Sequence, residues 1–64
     1  MPIIRVEMWE GRTKAQKKEL AESLTREMCR VSGCPPEQLY IVFEDVPKEN
    51  WAIGGALSSD AYPN

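Results

Sequence analysis

Residues 38–46, Q-L-Y-I-V-F-E-D-V, set the architecture of this chain. The centre of the stretch, L-Y-I-V-F, is apolar on both faces of an extended backbone, as strands covered on both sides tend to be. Prolines precede the stretch at positions 35 and 36 and follow it at position 47. The stretch therefore predicts a β-strand, and other parts of the protein must cover its two faces.

Residues 3–9, I-I-R-V-E-M-W, predict another strand, because apolar residues alternate along them. One face carries Ile4, Val6 and Met8, and the other carries Ile3, Arg5, Glu7 and Trp9. A turn is predicted at residues 10–12, where Gly11 interrupts the pattern.

A helix is predicted between the two strands. Thr13 and Gln16 form the capping-box pattern of a helix start, and Gly33 followed by two prolines marks the end. Between these bounds an apolar stripe recurs at helical spacing, formed by Leu20, Leu24, Met28 and Val31. The charged residues of the segment fall largely on the other side, which is typical of a solvated helix face.

A strand, a helix and a strand in this order predict one right-handed β-α-β unit with parallel strands. Gly54 and Gly55 predict a turn between two short extended pieces within residues 51–60, and the tail after that is expected to be irregular. The fold class is therefore α/β (α+β), in a single domain over residues 1–64. One helix covers only one face of a two-stranded sheet, so we expect a second copy to cover the other.

The composition argues against several classes of function. The 64 residues carry a net charge of −2 and no basic run, which disfavours nucleic-acid binding. No apolar stretch approaches the roughly 20 residues of a membrane span, and the N-terminus lacks the features of a signal peptide. With no histidine and only two cysteines, Cys29 and Cys34, neither a metal site nor a disulfide framework is expected. These features favour a cytoplasmic protein with two inert thiols.

Pro2 is unusual at the head of a strand, because proline cannot donate to a strand ladder. The first residue of a strand tolerates proline, which is one explanation. Removal of Met1 would instead make Pro2 the N-terminus and turn its ring nitrogen into a secondary amine that can carry a proton.

Four segments together resemble the 4-oxalocrotonate tautomerase family. They are P-I-I-R-V at residues 2–6, M-W-E-G-R-T at 8–13, Q-K-K-E-L at 16–20 and N-W-A-I-G-G at 50–55. The resemblance implies a tautomerase-like fold and an isomerase activity that needs no cofactor and no metal. It also implies assembly into a homohexamer, a trimer of dimers.

The resemblance assigns roles to three residues. Pro2, freed by removal of Met1, is the catalytic base and acid; Arg12 holds the carboxylate or carbonyl end of the substrate; Trp51 keeps the site dry. An α-amino group has a pKa of about 7.7–8.0, and a nearby cation and an apolar wall both lower it, as a general base near pH 7 requires. The expected function is enol–keto tautomerisation of a 2-hydroxydienoate or an enolpyruvate-type carboxylate.

Tyr40 marks a departure from the family. The best-known members of the family carry an arginine on the second strand. In those members the arginine comes from a neighbouring subunit and binds the far carboxylate of a dicarboxylate substrate. Tyr40 offers a hydroxyl without charge, so the substrate pocket, with Trp51 and Trp9 in it, is expected to be less cationic and more aromatic. Arg5 is an alternative source of a second cation.

Other interpretations stay open for the sequence alone. Pro2 can be a strand start only, Arg12 a surface arginine, and Trp9 and Trp51 packing residues at a subunit contact. A dehalogenase or decarboxylase on the same scaffold is another alternative. Related proteins that hydrate or dehalogenate substrates use a carboxylate to activate water, and Glu49 is the only nearby candidate. A non-catalytic oligomeric module is the third alternative.

Overall fold

The computed structural model describes residues 2–63 and confirms the β-α-β unit. Strand β1 is Ile3–Trp9, helix α1 is Lys14–Ser32, and strand β2 is Tyr40–Val46. The strands pair in parallel, from Ile3 opposite Tyr40 to Trp9 opposite Val46. Both strands therefore start at one end of the sheet and finish at the other.

The segment after β2 forms the predicted hairpin and one helical turn. Strands β3, Ala52–Ile53, and β4, Ala56–Leu57, pair antiparallel across the two glycines. A short helix α2 follows at Ser58–Ala61. Met1, whose removal the sequence analysis expects, lies outside the described residues.

Both predicted ends of α1 are confirmed by their caps. The Thr13 hydroxyl accepts a hydrogen bond from the Gln16 N–H at 3.1 Å, and the Gln16 side chain accepts one from the Thr13 N–H at 2.9 Å. At the other end Gly33 adopts a left-handed conformation, with φ 78°, and its N–H donates to the Cys29 carbonyl. A β-carbon would strain that backbone, which explains a glycine here.

Two details of the sequence prediction are wrong. Strand β2 begins at Tyr40 rather than at residue 38, because Pro36–Gln38 form a 3₁₀ turn in which proline occupies the first position. The piece after Leu57 is helical rather than extended or irregular. Its first residue, Ser58, is buried and its N–H donates to the Trp51 carbonyl at 2.7 Å, so a tertiary contact directs the chain there.

Helix α1 covers one face of the sheet. The strand residues on that face are half-buried: Ile4, Val6, Met8, Ile41 and Phe43. An ion pair between Lys17 and Asp45 joins the helix to β2. On the opposite face, which we call the open face, Ile3, Tyr40 and Val42 are 56%, 51% and 42% exposed.

The chain is more extended than a compact monomer of its size. It exposes 4975 Å² of surface, whereas a compact monomer of 7.3 kDa exposes about 4,200 Å². Its radius of gyration is 14.8 Å, against about 11 Å expected for its length. The excess surface agrees with the expectation that a second copy covers the open face.

Candidate active site

Pro2 lies immediately before β1, at the end of the sheet where both strands start. The Tyr40 N–H donates to the Pro2 carbonyl at 3.1 Å, which extends the parallel ladder by one step. Pro2 is half-buried, and the next residue, Ile3, is exposed on the open face. The first residue of the ladder is therefore held by its carbonyl, and no ladder hydrogen bond needs its nitrogen.

An aromatic cluster occupies the opposite end of the open face. The rings of Trp9 and Trp51 meet edge to face, with centroids 6.1 Å apart, and Tyr62 packs on Trp9 at 5.5 Å. Lys48 Nζ lies 5.0 Å from the centre of the Trp9 ring and donates to the Tyr62 carbonyl at 2.6 Å. The segment after β2 thus folds back over the end of β1. At the Trp9 end, the expectation that a second copy covers this face is wrong, because the chain's own tail covers it there.

A shallow depression of about 280 Å³ lies beside this cluster, lined by Glu7, Val46, Asn50, Trp51 and Ala52. The indole N–H of Trp9 is buried without a hydrogen-bond partner among the described residues. A buried donor without a partner costs about 1–3 kcal/mol, which is a local cost of packing Trp9 against Tyr62 and Lys48.

Arg12 lies between the end of β1 and the cap of α1. Gly11, with φ 124°, turns the chain away from the strand so that Arg12 precedes the capping residue Thr13. Arg12 is exposed and has no ion-pair or hydrogen-bond partner among residues 2–63. Its guanidinium is therefore available to an anion.

The structure does not bring Pro2 and Arg12 of one chain together. The two residues lie at opposite ends of strand β1. The strand has seven residues and, at roughly 3.3 Å per residue, spans about 23 Å. Trp51 and Trp9 lie at the Arg12 end, and Tyr40 lies at the Pro2 end. Each chain thus carries two separate parts of the expected site.

The remaining candidates divide between the same two ends. Tyr40 and Arg5 lie on the open face near Pro2, opposite Ile3 and Val42 in the ladder. Glu49 lines a different groove from Trp51, a cleft of about 480 Å³ that also contains Glu10, Gly11, Lys48 and Ser59. A water activated by Glu49 would therefore lie in another groove, which gives the hydrolytic alternative no support.

Sequence reasoning missed Lys48 as part of the aromatic cluster and left the role of Tyr62 undecided. The only signal was the proximity of Lys48 to Trp51 along the chain, which does not show that the tail returns to Trp9.

Among residues 2–63 there is no cluster of three or more metal-binding side chains. In the same part of the chain, no helix is long and apolar enough to cross a membrane.

Comparisons with known proteins agree with this geometry. Residues 2–61 match the family described as tautomerase enzyme. A probable tautomerase of Bacillus cereus is 42% identical over 94% of this chain and 98% of its own length. A 2-hydroxymuconate tautomerase of Pseudomonas putida is 37% identical over 94% of this chain and 95% of its own. A solved structure of a 4-oxalocrotonate tautomerase isozyme from Methylibium petroleiphilum superposes with a TM-score of 0.89, at 38% identity, over 95% of this chain and 98% of that one.

A fold of one β-α-β unit and a hairpin, with a proline at the head of the first strand, defines a small tautomerase-like protein. The chain belongs to the tautomerase family and is an isomerase of the 4-oxalocrotonate tautomerase type. The resemblance drawn from its four sequence segments is confirmed.

Proposed function

We propose that the chain is an enol–keto tautomerase that acts on a 2-hydroxydienoate or an enolpyruvate-type carboxylate, with Pro2 as general base and acid. The observation that carries the proposal is the position of Pro2, at the first step of a parallel ladder in a chain of this family. Its carbonyl is fixed by Tyr40, so the ring has a defined direction while its nitrogen has no structural role. Removal of Met1, which exposes that nitrogen, is part of the proposal.

The reaction requires one proton to move from oxygen to carbon. The neutral Pro2 nitrogen removes the enol O–H proton, the C–O bond becomes a carbonyl, and the carbon–carbon double bond shifts. The prolinium then delivers the same proton to the carbon at the end of the shifted system, which restores the neutral amine. Arg12 binds the carboxylate and stabilises the negative charge that develops on the oxygen. Neither step needs a metal or a cofactor.

We place each complete site between two chains. Pro2 and Arg12 of one chain are separated by the length of β1, about 23 Å, so a small substrate cannot contact both. When two copies pair antiparallel, the Pro2 end of one chain meets the Arg12 and Trp51 end of the other. The exposed apolar side chains of the open face, Ile3, Tyr40 and Val42, are the surface that such a neighbour would cover.

The substrate class follows from the two ends. The Pro2 end carries the neutral Tyr40, with Arg5 as the nearest cation on the open face. The other end carries Trp51, Trp9 and the exposed Arg12, while the Lys48 ammonium there is engaged by the Trp9 ring and the Tyr62 carbonyl. A substrate with one carboxylate and an apolar far end needs only Arg12, whereas a dicarboxylate needs a second cation that Tyr40 does not supply. We therefore propose a monocarboxylate as the preferred substrate.

We also propose a homohexamer built as a trimer of dimers and a cytoplasmic location.

A mixing experiment tests the shared site and the roles together. Pro2→Ala and Arg12→Ala are each expected to lower kcat/KM for phenylenolpyruvate by about 10²-fold or more, the scale of losing a general base or a charge-stabilising donor. The two variants are then unfolded together, refolded as a mixture and assayed. In random two-chain pairs half of the pairs are mixed, and each mixed pair holds one intact and one doubly altered site. Activity should therefore return to about a quarter of the wild-type value.

The controls separate assembly from chemistry. Each variant refolded alone should stay inactive, and Arg26→Ala, which removes an exposed arginine from α1, should behave like the wild type. No recovery in the mixture would show that Pro2 and Arg12 do not act in one shared site. Full activity of Pro2→Ala alone would remove Pro2 from the mechanism.

A further inference from the structure

The C-terminal cap of α1 brings the two cysteines of the chain into contact. Cys29 lies in the last turn and a half of the helix, and Cys34 follows the left-handed Gly33. The Gly33 N–H donates to the Cys29 carbonyl at 2.9 Å, which reverses the chain, and the two sulfur atoms lie 3.5 Å apart. The two thiols, which the sequence alone predicts to be inert, are therefore neighbours in the fold.

The cap itself explains why the two residues meet. In a helix that ends on a left-handed glycine, the residue after the glycine commonly packs on a residue of the last turn. Cysteine behaves as a small apolar residue, so the contact stabilises the cap in its reduced form. A further hydrogen bond at 3.3 Å, from the Cys34 N–H to the Ser32 hydroxyl, holds the loop in place. The pair is therefore positioned by the backbone of the cap.

We propose that Cys29 and Cys34 form a reversible redox site that closes to an intrachain disulfide, with a low-molecular-weight disulfide such as oxidised glutathione as the oxidant. The sulfur atoms need to approach from 3.5 Å to about 2 Å, a movement that the short loop carrying Cys34 can supply. No other cysteine of the chain competes, because these two are the only ones.

The reaction proceeds by two thiol–disulfide exchanges. The Cys34 thiolate attacks oxidised glutathione, forming a mixed disulfide and releasing one glutathione thiolate. Cys29 then loses its proton and attacks the Cys34 sulfur, which forms the intrachain bond and releases the second glutathione thiolate. The two protons from the protein thiols end on the two released glutathiones. The protein loses two hydrogens, and one oxidised glutathione becomes two reduced ones.

The surroundings indicate the order of the two attacks. Burial raises the pKa of the Cys29 thiol, and its hydrogen bond with Cys34 and the negative charge of Glu37 raise that pKa further. A raised pKa lowers the thiolate fraction of Cys29 and makes it the slower nucleophile, so we assign it the role of the resolving thiol. Among residues 2–63 no charge lowers the pKa of the Cys29 thiol, and we expect slow equilibration with the glutathione pool.

The test is a redox titration of the full chain in mixtures of reduced and oxidised glutathione, quenched with acid and read by intact mass. The expected product is a chain without an interchain cross-link that has lost two hydrogens, carries no glutathione and returns to the dithiol in excess reduced glutathione. Cys29→Ser and Cys34→Ser should each show a glutathione adduct or no change, without the loss of two hydrogens. A wild-type chain that ends as a stable glutathione adduct, or as chains bridged to one another on a non-reducing gel, would overturn the proposal.

A backbone variant tests whether the cap positions the pair. Alanine avoids the left-handed conformation, so Gly33→Ala should open the turn and separate the sulfurs. We expect the disulfide of Gly33→Ala to need about tenfold more oxidised glutathione to form. Gly54→Ala, at another left-handed glycine with φ 59° in the hairpin, is the matched control and should titrate like the wild type. Equal titration of Gly33→Ala and the wild type would show that the cap does not position the pair.

Discussion

Val42→Lys should prevent the chain from assembling, because it places a charge at the centre of the open face. Val42 lies on β2 between Tyr40 and Glu44 and is opposite Arg5 in the ladder. It is 42% exposed in the single chain. A lysine there would have Arg5 directly opposite and Glu44 two residues along the same face, so it would replace an apolar contact surface by a charged one.

The size of the effect follows from burial and symmetry. Full burial of a valine side chain is worth about 1.5–3 kcal/mol, so covering the exposed 42% of Val42 contributes about 1 kcal/mol per chain. Desolvating an ammonium costs several kcal/mol, and we take about 2 kcal/mol because a lysine can extend toward solvent and Glu44 lies on the same face. In a two-fold contact the lost valine burial and the lysine desolvation each occur twice. The free energy of association of a pair is then less favourable by about 6 kcal/mol, which weakens association about 10⁴-fold.

Sedimentation velocity and native mass spectrometry at micromolar concentration measure this directly. The wild type should sediment as a species of several chains and Val42→Lys as a single chain. Val31→Lys is the matched control: Val31 is 74% exposed in the last turn of α1, where a cation is compatible with the helix dipole. Wild-type assembly by Val42→Lys would refute the inference that the open face is an interface.

Three further outcomes are expected. Trp51→Ala should move the acidic limb of the kcat/KM–pH profile to higher pH, because water entering the site raises the pKa of the Pro2 amine; an unmoved limb would confine Trp51 to packing. Tyr40→Arg should shift the ratio of kcat/KM values toward 2-hydroxymuconate over phenylenolpyruvate by about tenfold, since it supplies the missing cation; if Arg5→Ala cripples the dicarboxylate reaction instead, that role belongs to Arg5. Intact mass of active protein purified from cells should lack Met1, and active enzyme that retains it would exclude Pro2 as the base.

The parts of the fold that depend on local chemistry could be predicted from the sequence. The ends of α1 are fixed by hydrogen bonds between residues close in the sequence, at Thr13 and Gln16 and at Gly33. The sequence pattern therefore predicts both ends. Alternation in residues 3–9 gave the correct faces of β1, because side-chain direction in a strand depends only on position.

The parts that depend on distant contacts could not be predicted. Ser58 is almost fully buried and begins a helical turn, and the sequence of residues 58–61 signals neither the burial nor the turn. The stacking of Tyr62 and Lys48 on Trp9 arises in the same way. The candidate site was identified residue by residue from the family resemblance. Its division between two ends of the sheet required the strand directions.

The separation of Pro2 and Arg12 by a full strand has an evolutionary consequence under the proposed pairing. If the gene were duplicated, one copy could lose its proline and the other its arginine, and mixed pairs would still hold one working site. Selection could then shape that site for a new substrate while the second, inactive site drifts toward another use, such as binding a regulator. The same division makes a chain that lacks both residues a dominant-negative inhibitor, because it disables both sites of any pair that it enters.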